Sequence, residues 1–250
     1  MSQCERLKIL IKNPVFILLI QALSALYFII TALQYWVTQY LMLVLGLEEA
    51  HANIYFSVTC STAPFLGVAI GGLIFSALGG YNNPRAWLLV LIIGLVAVGV
   101  AVPLAFVSTR WIAYILLWFI LFFGSFILPT MTGMMLNSVQ LPLRATANGI
   151  AVFMYNIFGY LPAPFLYGWV SDWGVPSLKE DKSNEAEVTA ARILSSRWAL
   201  AMVCFWTIYA VLCYSIALVI KLRVLYRGMS EHDRRTKKCA FFSPMFESRE

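Results

Sequence analysis

No Asp, Glu, Lys or Arg occurs in residues 13–47, 50–84, 86–109, 111–143, 145–171 or 198–220. The six windows are 35, 35, 24, 33, 27 and 23 residues long. An α-helix needs roughly 20 apolar residues to cross a bilayer, and each window exceeds that. A membrane β-barrel would instead alternate with period two over about ten residues, so it is excluded. The first window runs well past a short signal-peptide core and reads as a retained span. The expected fold is therefore an all-α membrane protein of six transmembrane helices, integral and multi-pass. Composition agrees, with 61% hydrophobic and only 12% charged residues and a mean hydropathy of +0.79.

The gaps give a map with helices over about 14–45, 52–78, 87–107, 112–136, 145–168 and 198–220. Six spans put both ends of the bundle on one side of the membrane. That side then carries thirteen basic residues: Arg6, Lys8, Lys12, Arg85, Arg144, Lys221, Arg223, Arg227, Arg234, Arg235, Lys237, Lys238 and Arg249. Five stand opposite, namely Arg110, Lys179, Lys182, Arg192 and Arg197. The excess of cations in cytoplasmic loops orients the bundle with both termini in the cytoplasm. Residues 1–13 are then a cytoplasmic segment, 14–222 the bundle and 223–250 a basic cytoplasmic tail. The one long outer loop is 169–197, with a solvated and mobile middle. The net charge of +6 follows this topology and gives no reason to expect nucleic acid.

The first helix carries an informative polar set: Gln21, Ser24, Tyr27, Thr31, Gln34, Tyr35 and Thr38. At about 100° per residue these fall within an arc of roughly 140°. Such a stripe faces either protein, as interhelical hydrogen bonds, or a water-filled cavity. Seven polar groups exceed what packing needs, which favours a cavity lining. In the fifth helix Asn148, Val152, Tyr155 and Gly159 share a second face, flanked by Asn156, and Pro162 and Pro164 interrupt the helix beyond them. Broken helices beside polar stripes point to a transport path, while a static kink is the plainer meaning of a single proline. In the second helix Gly67-x-x-x-Gly71 reads as close helix packing.

Several classes lack their residues. No span interior holds a carboxylate, Lys or Arg, as a proton relay or voltage sensor requires. No catalytic constellation, metal set or cofactor motif is present. Cys60, Cys204 and Cys213 read as small packing residues.

One stretch carries a family resemblance: Pro142-x-Arg144-Ala145-x-Ala147-x-Gly149, then Asn156-x-x-Gly159, Pro162-x-Pro164 and Gly168-x-x-x-Asp172. It resembles the start and body of the eleventh helix of major facilitator superfamily transporters, especially the spinster-like and organic-anion-transporter-like groups. More weakly the resemblance extends over residues 8–222. Gly72-x-x-x-Ser76-Ala77-x-Gly79 is similar to a degenerate copy of the glycine-rich inner-loop motif of that superfamily. Ser76 and Ala77 stand where acidic and basic residues would be, although Arg85 is near.

The resemblance implies the C-terminal six-helix half of a twelve-helix solute carrier, working by alternating access. The first helix would match the cavity-lining seventh helix of the family. Gln21, Ser24, Tyr27, Thr31, Gln34, Tyr35, Tyr155 and Asn156 would then contact a small organic or lipid-like solute. Gly72, Gly79, Arg85 and Arg144 would gate the inner loops. A second six-helix half, either another copy or a separate chain, is the implied partner, alongside the bilayer. The alternative is a non-transporting membrane interaction or regulatory subunit.

Overall fold

A computed structural model describes the backbone of residues 3–173 and 185–242, and side chains of residues 5–173 and 186–227. Its elements are α1 (Gln3–Ile11), α2 (Pro14–Leu45), α3 (Glu49–Ala77), α4 (Pro84–Leu104), α5 (Arg110–Asn137), α6 (Arg144–Tyr155), α7 (Pro162–Trp173) and α8 (Glu185–Phe242). A 3₁₀ turn at Leu141–Leu143 precedes α6, and a π-helical segment at Asn156–Tyr160 joins α6 to α7. Six helical stretches are long and apolar enough to cross a membrane, with Leu141–Trp173 counted as one.

The two Asn-Pro pairs both begin spans. Asn13 and Asn83 are N-caps whose side-chain oxygens accept from the backbone N–H of Phe16 (3.3 Å) and Arg85 (3.0 Å). Pro14 and Pro84 follow at the first helical position, where a missing N–H costs nothing. At the other end of α2, Gly46 adopts φ +61° and donates its N–H back to Leu41. Glycine enters that left-handed region without a Cβ penalty, so the helix stops there.

α2 is the central helix. Phe16, Leu19 and Leu23 pack with Trp87, Met134, Met135 and Tyr214 in one buried cluster. Farther along, Phe28, Leu33 and Leu41 pack with Leu117, Ala163 and Leu200 in a second. α8, α5, α7 and the π segment all lie against α2, whereas α3 rests chiefly on α5, and α4 on α5 and α8.

Two cations at the span edges bind helix ends. Arg110 donates from Nε to the carbonyl of Leu45 (3.0 Å) and from Nη2 to that of Gly46 (3.3 Å), closing the end of α2. Arg197 does the same beyond α4, reaching the carbonyl of Phe106 (2.9 Å) and Ser108 Oγ (3.0 Å). These bonds satisfy orphan carbonyls and oppose the helix dipole. Arg197→Ala is expected to lower unfolding stability by about 1–3 kcal/mol, the range for charged hydrogen bonds, measured by thermal unfolding in detergent. Arg197→Lys, with one donor group for two partners, falls in between.

Helix extends beyond the charge-free windows. The loop 169–197 is helical at both ends, because α7 continues to Trp173 and α8 begins at Glu185. Charge marks the edge of an apolar window and not the end of a helix; Ala186, Ala190 and Ala191 keep the intervening turns helical. Its middle, residues 174–184, lies outside the described residues. The N-terminal segment holds α1, and α8 runs through the start of the tail to Phe242. The remaining helix limits shift by no more than a turn.

Candidate functional site

The polar stripe of α2 is divided among three settings. Nearest the start of the helix, Gln21 Oε1 accepts a hydrogen bond from the Tyr209 hydroxyl of α8. Ser24 is buried at 5% exposure, and its Oγ is, among the described residues, the one buried side-chain oxygen or nitrogen without a hydrogen-bond partner. Both residues line a cavity of about 390 Å³ with Ile150, Met154, Phe158 and Trp206.

At mid-helix the half-buried Tyr27 ring lies 4.7 Å from Tyr155 and 4.9 Å from Tyr160. Thr31 bonds back to the Tyr27 carbonyl at 2.8 Å, the local option by which a helical threonine satisfies its own hydroxyl. One turn on, Gln34 and Tyr35 are exposed, Tyr35 at 65%. Tyr35 meets Trp36 edge-on at 5.2 Å, and the Trp36 indole donates to the Pro164 carbonyl (3.0 Å) while stacking on Tyr167 at 5.1 Å.

The fifth span contributes less polarity than its sequence suggests. Tyr155 is buried, and its hydroxyl contacts Met135 Sδ at 3.3 Å. Asn156 is exposed but donates to the Val152 carbonyl of its own helix at 2.8 Å. What this span does provide is a close approach. The π segment, closed by an i→i+5 bond from Leu161 N to Asn156 O (3.0 Å), turns Gly159 onto α2. A Cβ there would stand 2.8 Å from the Ser24 carbonyl and 2.9 Å from Tyr27 Cβ. The expected break at Pro162 and Pro164 therefore begins earlier. A proline ring clashes with the carbonyl four residues back, here Phe158, and an extra residue in the turn relieves it.

The inner-loop candidates also separate. Gly79 and Gly80 take φ near +80° and turn the chain between α3 and α4. Asn83 Nδ2 closes that turn on the Leu78 carbonyl at 2.7 Å. Asn137 Nδ2 reaches Asn82 Oδ1 at 2.6 Å, and Arg144 Nη2 donates to Asn137 Oδ1 at 3.0 Å. Two amides and a guanidinium thus tie the turn to the junction of α5 and α6. Arg85 shares the turn and is exposed; Gly72 is exposed, with open space where a Cβ would be.

Sequence periodicity missed the partners. Tyr209 and Trp206 of α8 complete the Ser24 cavity, and Tyr160 completes the tyrosine group. A separate cavity of about 510 Å³, lined by Gln39, Ser171, Asp172 and Arg192, lies near the opposite end of α2. α8 also carries Tyr214 and Tyr226, so no local signal singled out Tyr209.

The fold has counterparts. Two crystal structures of a bacterial homolog of the human lysosomal transporter Spinster, both inward-facing, superpose on the chain. The unoccupied form gives a TM-score of 0.74 at 16% identity, covering 89% of this chain and 51% of its own. The occupied form gives 0.65 at 14% identity, covering 82% and 49%. The chain has the fold of about half of those structures.

The chain spans about half the length of those structures. Residues 108–174 match the family model for the Organic Anion Transporter Polypeptide (OATP) family. That segment holds α5 to α7 and includes every residue of the eleventh-helix resemblance. No curated protein matches by sequence. Six apolar helices in this half-bundle make it an integral, multi-pass membrane protein.

Proposed function

We propose that the chain forms one wall of an alternating-access path for a small organic or amphipathic, lipid-like solute. The observation that carries this is the exposure of Gln34 and Tyr35 within the most buried of the six spans, where polar side chains are expensive unless protein, solute or water meets them. Gln21, Ser24, Tyr27 and Thr31 continue the same wall. Tyr155 supports Tyr27 from beneath, and Asn156 borders the π segment.

Both termini are cytoplasmic in this reading. The turn at Gly79, with Arg85, Gly72 and the Asn82–Asn137–Arg144 link, is then the inner gate. A second six-helix half faces the wall. Neutral polar groups and aromatic rings suit an amphiphile better than a small ion, which would need charged or closely packed oxygen ligands.

Uptake in cells or vesicles holding the assembled protein tests the path. Gln34→Ala with Tyr35→Ala is expected to reduce uptake roughly tenfold, the combined worth of one or two neutral hydrogen bonds. Undiminished uptake removes this face of α2 from the path. The second reading is a non-transporting membrane interaction or regulatory subunit. Solute flux from the 250-residue chain alone rejects that reading. Capture by a full-length carrier without flux favours it.

A further inference from the structure

We infer that the cavity at the end of α2 remote from α1 binds a small water-soluble zwitterion, a molecule carrying an ammonium and a carboxylate on one short carbon frame. The inference stands apart from the path proposed above, since it uses none of the residues assigned to that path. The space measures about 510 Å³, within the range of small-ligand sites. Three helices build it: α2 with Trp36 and Gln39, α7 with Ser171 and Asp172, and α8 with Arg192 and Ser196.

Its polar groups are left open. Among the described residues, no hydrogen bond or ion pair to protein engages the side chains of Gln39, Asp172 or Arg192. Asp172 and Arg192 carry opposite charges and face one cavity from packed helices, yet they do not pair. Both are exposed, and an exposed pair gains little by closing. Ser171 and Ser196 share one hydrogen bond at 3.3 Å, which leaves the second hydroxyl hydrogen of the pair free to donate. The aromatic groups of the wall are committed by contrast. The Trp36 indole donates to the Pro164 carbonyl, and the Tyr40 hydroxyl to that of Ala105. They shape the space without competing for its charges.

Those charges choose the ligand. A guanidinium fork holds a carboxylate through two parallel N–H bonds, and an aspartate accepts from an ammonium; charge-assisted bonds are the stronger class. An anion alone would meet Arg192 but also the like charge of Asp172. A cation alone meets the reverse. Each side chain thus rejects what the other attracts, and a molecule bearing both charges satisfies the two together. An acyl chain fits poorly, because it would strip water from two charges and the Gln39 amide without replacing their hydrogen bonds. Trp36, half-buried and stacked on Tyr167 at 5.1 Å, leaves an apolar wall for a short side chain.

L-Phenylalanine is the probe, because it carries both charges and a ring for that wall. Phenethylamine lacks its carboxylate, and hydrocinnamate lacks its ammonium. Binding of each to the full chain in lipid nanodiscs is measured at neutral pH by saturation-transfer NMR, with the signal from empty nanodiscs subtracted. Phenylalanine is expected to bind roughly tenfold more tightly than either comparator, the worth of one charged hydrogen bond. Arg192→Gln should weaken phenylalanine by about that factor and abolish its advantage over phenethylamine while keeping its advantage over hydrocinnamate. Asp172→Asn should do the opposite.

A merely structural role would weaken all three ligands together and could not produce this crossed pattern. Both side chains are exposed, so neither change should move the thermal midpoint. Equal affinity for the three ligands overturns the site. So does the absence of any phenylalanine signal above empty nanodiscs, or an affinity that ignores both Arg192→Gln and Asp172→Asn.

Discussion

Gly159→Ala is expected to destabilise the bundle by about 1–3 kcal/mol, and Gly159→Val by more, because nothing opposite this glycine can yield cheaply. A Cβ at that position would lie 2.8 Å from the Ser24 carbonyl oxygen, 2.9 Å from Tyr27 Cβ and 3.3 Å from the Phe28 nitrogen. Two of these are main-chain atoms inside α2, where a shift of one residue strains its neighbours. The added methyl must therefore push the π segment away. Tyr27 would then lose its ring contacts with Tyr155 and Tyr160, and the roof of the Ser24 cavity would open. Uptake should fall together with thermal stability in detergent. Gly149→Ala supplies the control: it is in α6, nothing stands within 4 Å of its would-be Cβ, and helix propensity alone makes it neutral or stabilising by up to about 1 kcal/mol. If the two alanines behave alike, the close approach at Gly159 is wrong.

The spans were legible because hydrocarbon tolerates so few charges that their absence marks each crossing. The same rule hid the start of α8. Glu185, Glu187, Arg192 and Arg197 end the apolar window without ending the helix, since charged residues form helices well in water. The stripe from Gln21 to Thr38 was visible as an arc, but periodicity reports only direction around one helix axis. What covers each height of that arc depends on neighbours that cross it: α8 beside Gln21, the π segment beside Tyr27, and open surface beside Gln34 and Tyr35. Tyr209 is 188 residues from Gln21. No local pattern joins them. Nor does a π segment have a composition of its own, so Asn156–Tyr160 looked like ordinary helix ahead of a proline.

A larger loss is expected from Gly67→Leu, which should detach α3 from α5. Gly67 faces the carbonyl of Phe122, with Ser125 Cβ at 3.1 Å and Phe126 N at 3.2 Å from a would-be Cβ, while Gly71 meets the Phe126 ring at 3.2 Å. Between helices in lipid there is no hydrophobic gain on contact, so close packing and a few interhelical bonds must hold them. Here those bonds are the Tyr55 hydroxyl to the Tyr114 carbonyl and the Trp118 indole to Thr62 Oγ1 at 3.0 Å, on the same seam as the glycines. A leucine at position 67 would force the backbones apart and lose both, at about 3–5 kcal/mol in total. Two measurements check it: the thermal midpoint in detergent should drop, and the half-buried Cys60 of α3 should react faster with a membrane-permeable maleimide. Gly72→Leu is the decisive comparison. That residue is five positions along the same helix, exposed, with empty space at its would-be Cβ, so leucine there should leave both measurements unchanged. Equal effects at 67 and 72 would mean that helix propensity, and not the seam with α5, sets the cost. If Gly72→Leu keeps the bundle stable yet abolishes uptake, the empty space beside Gly72 is where the second half closes.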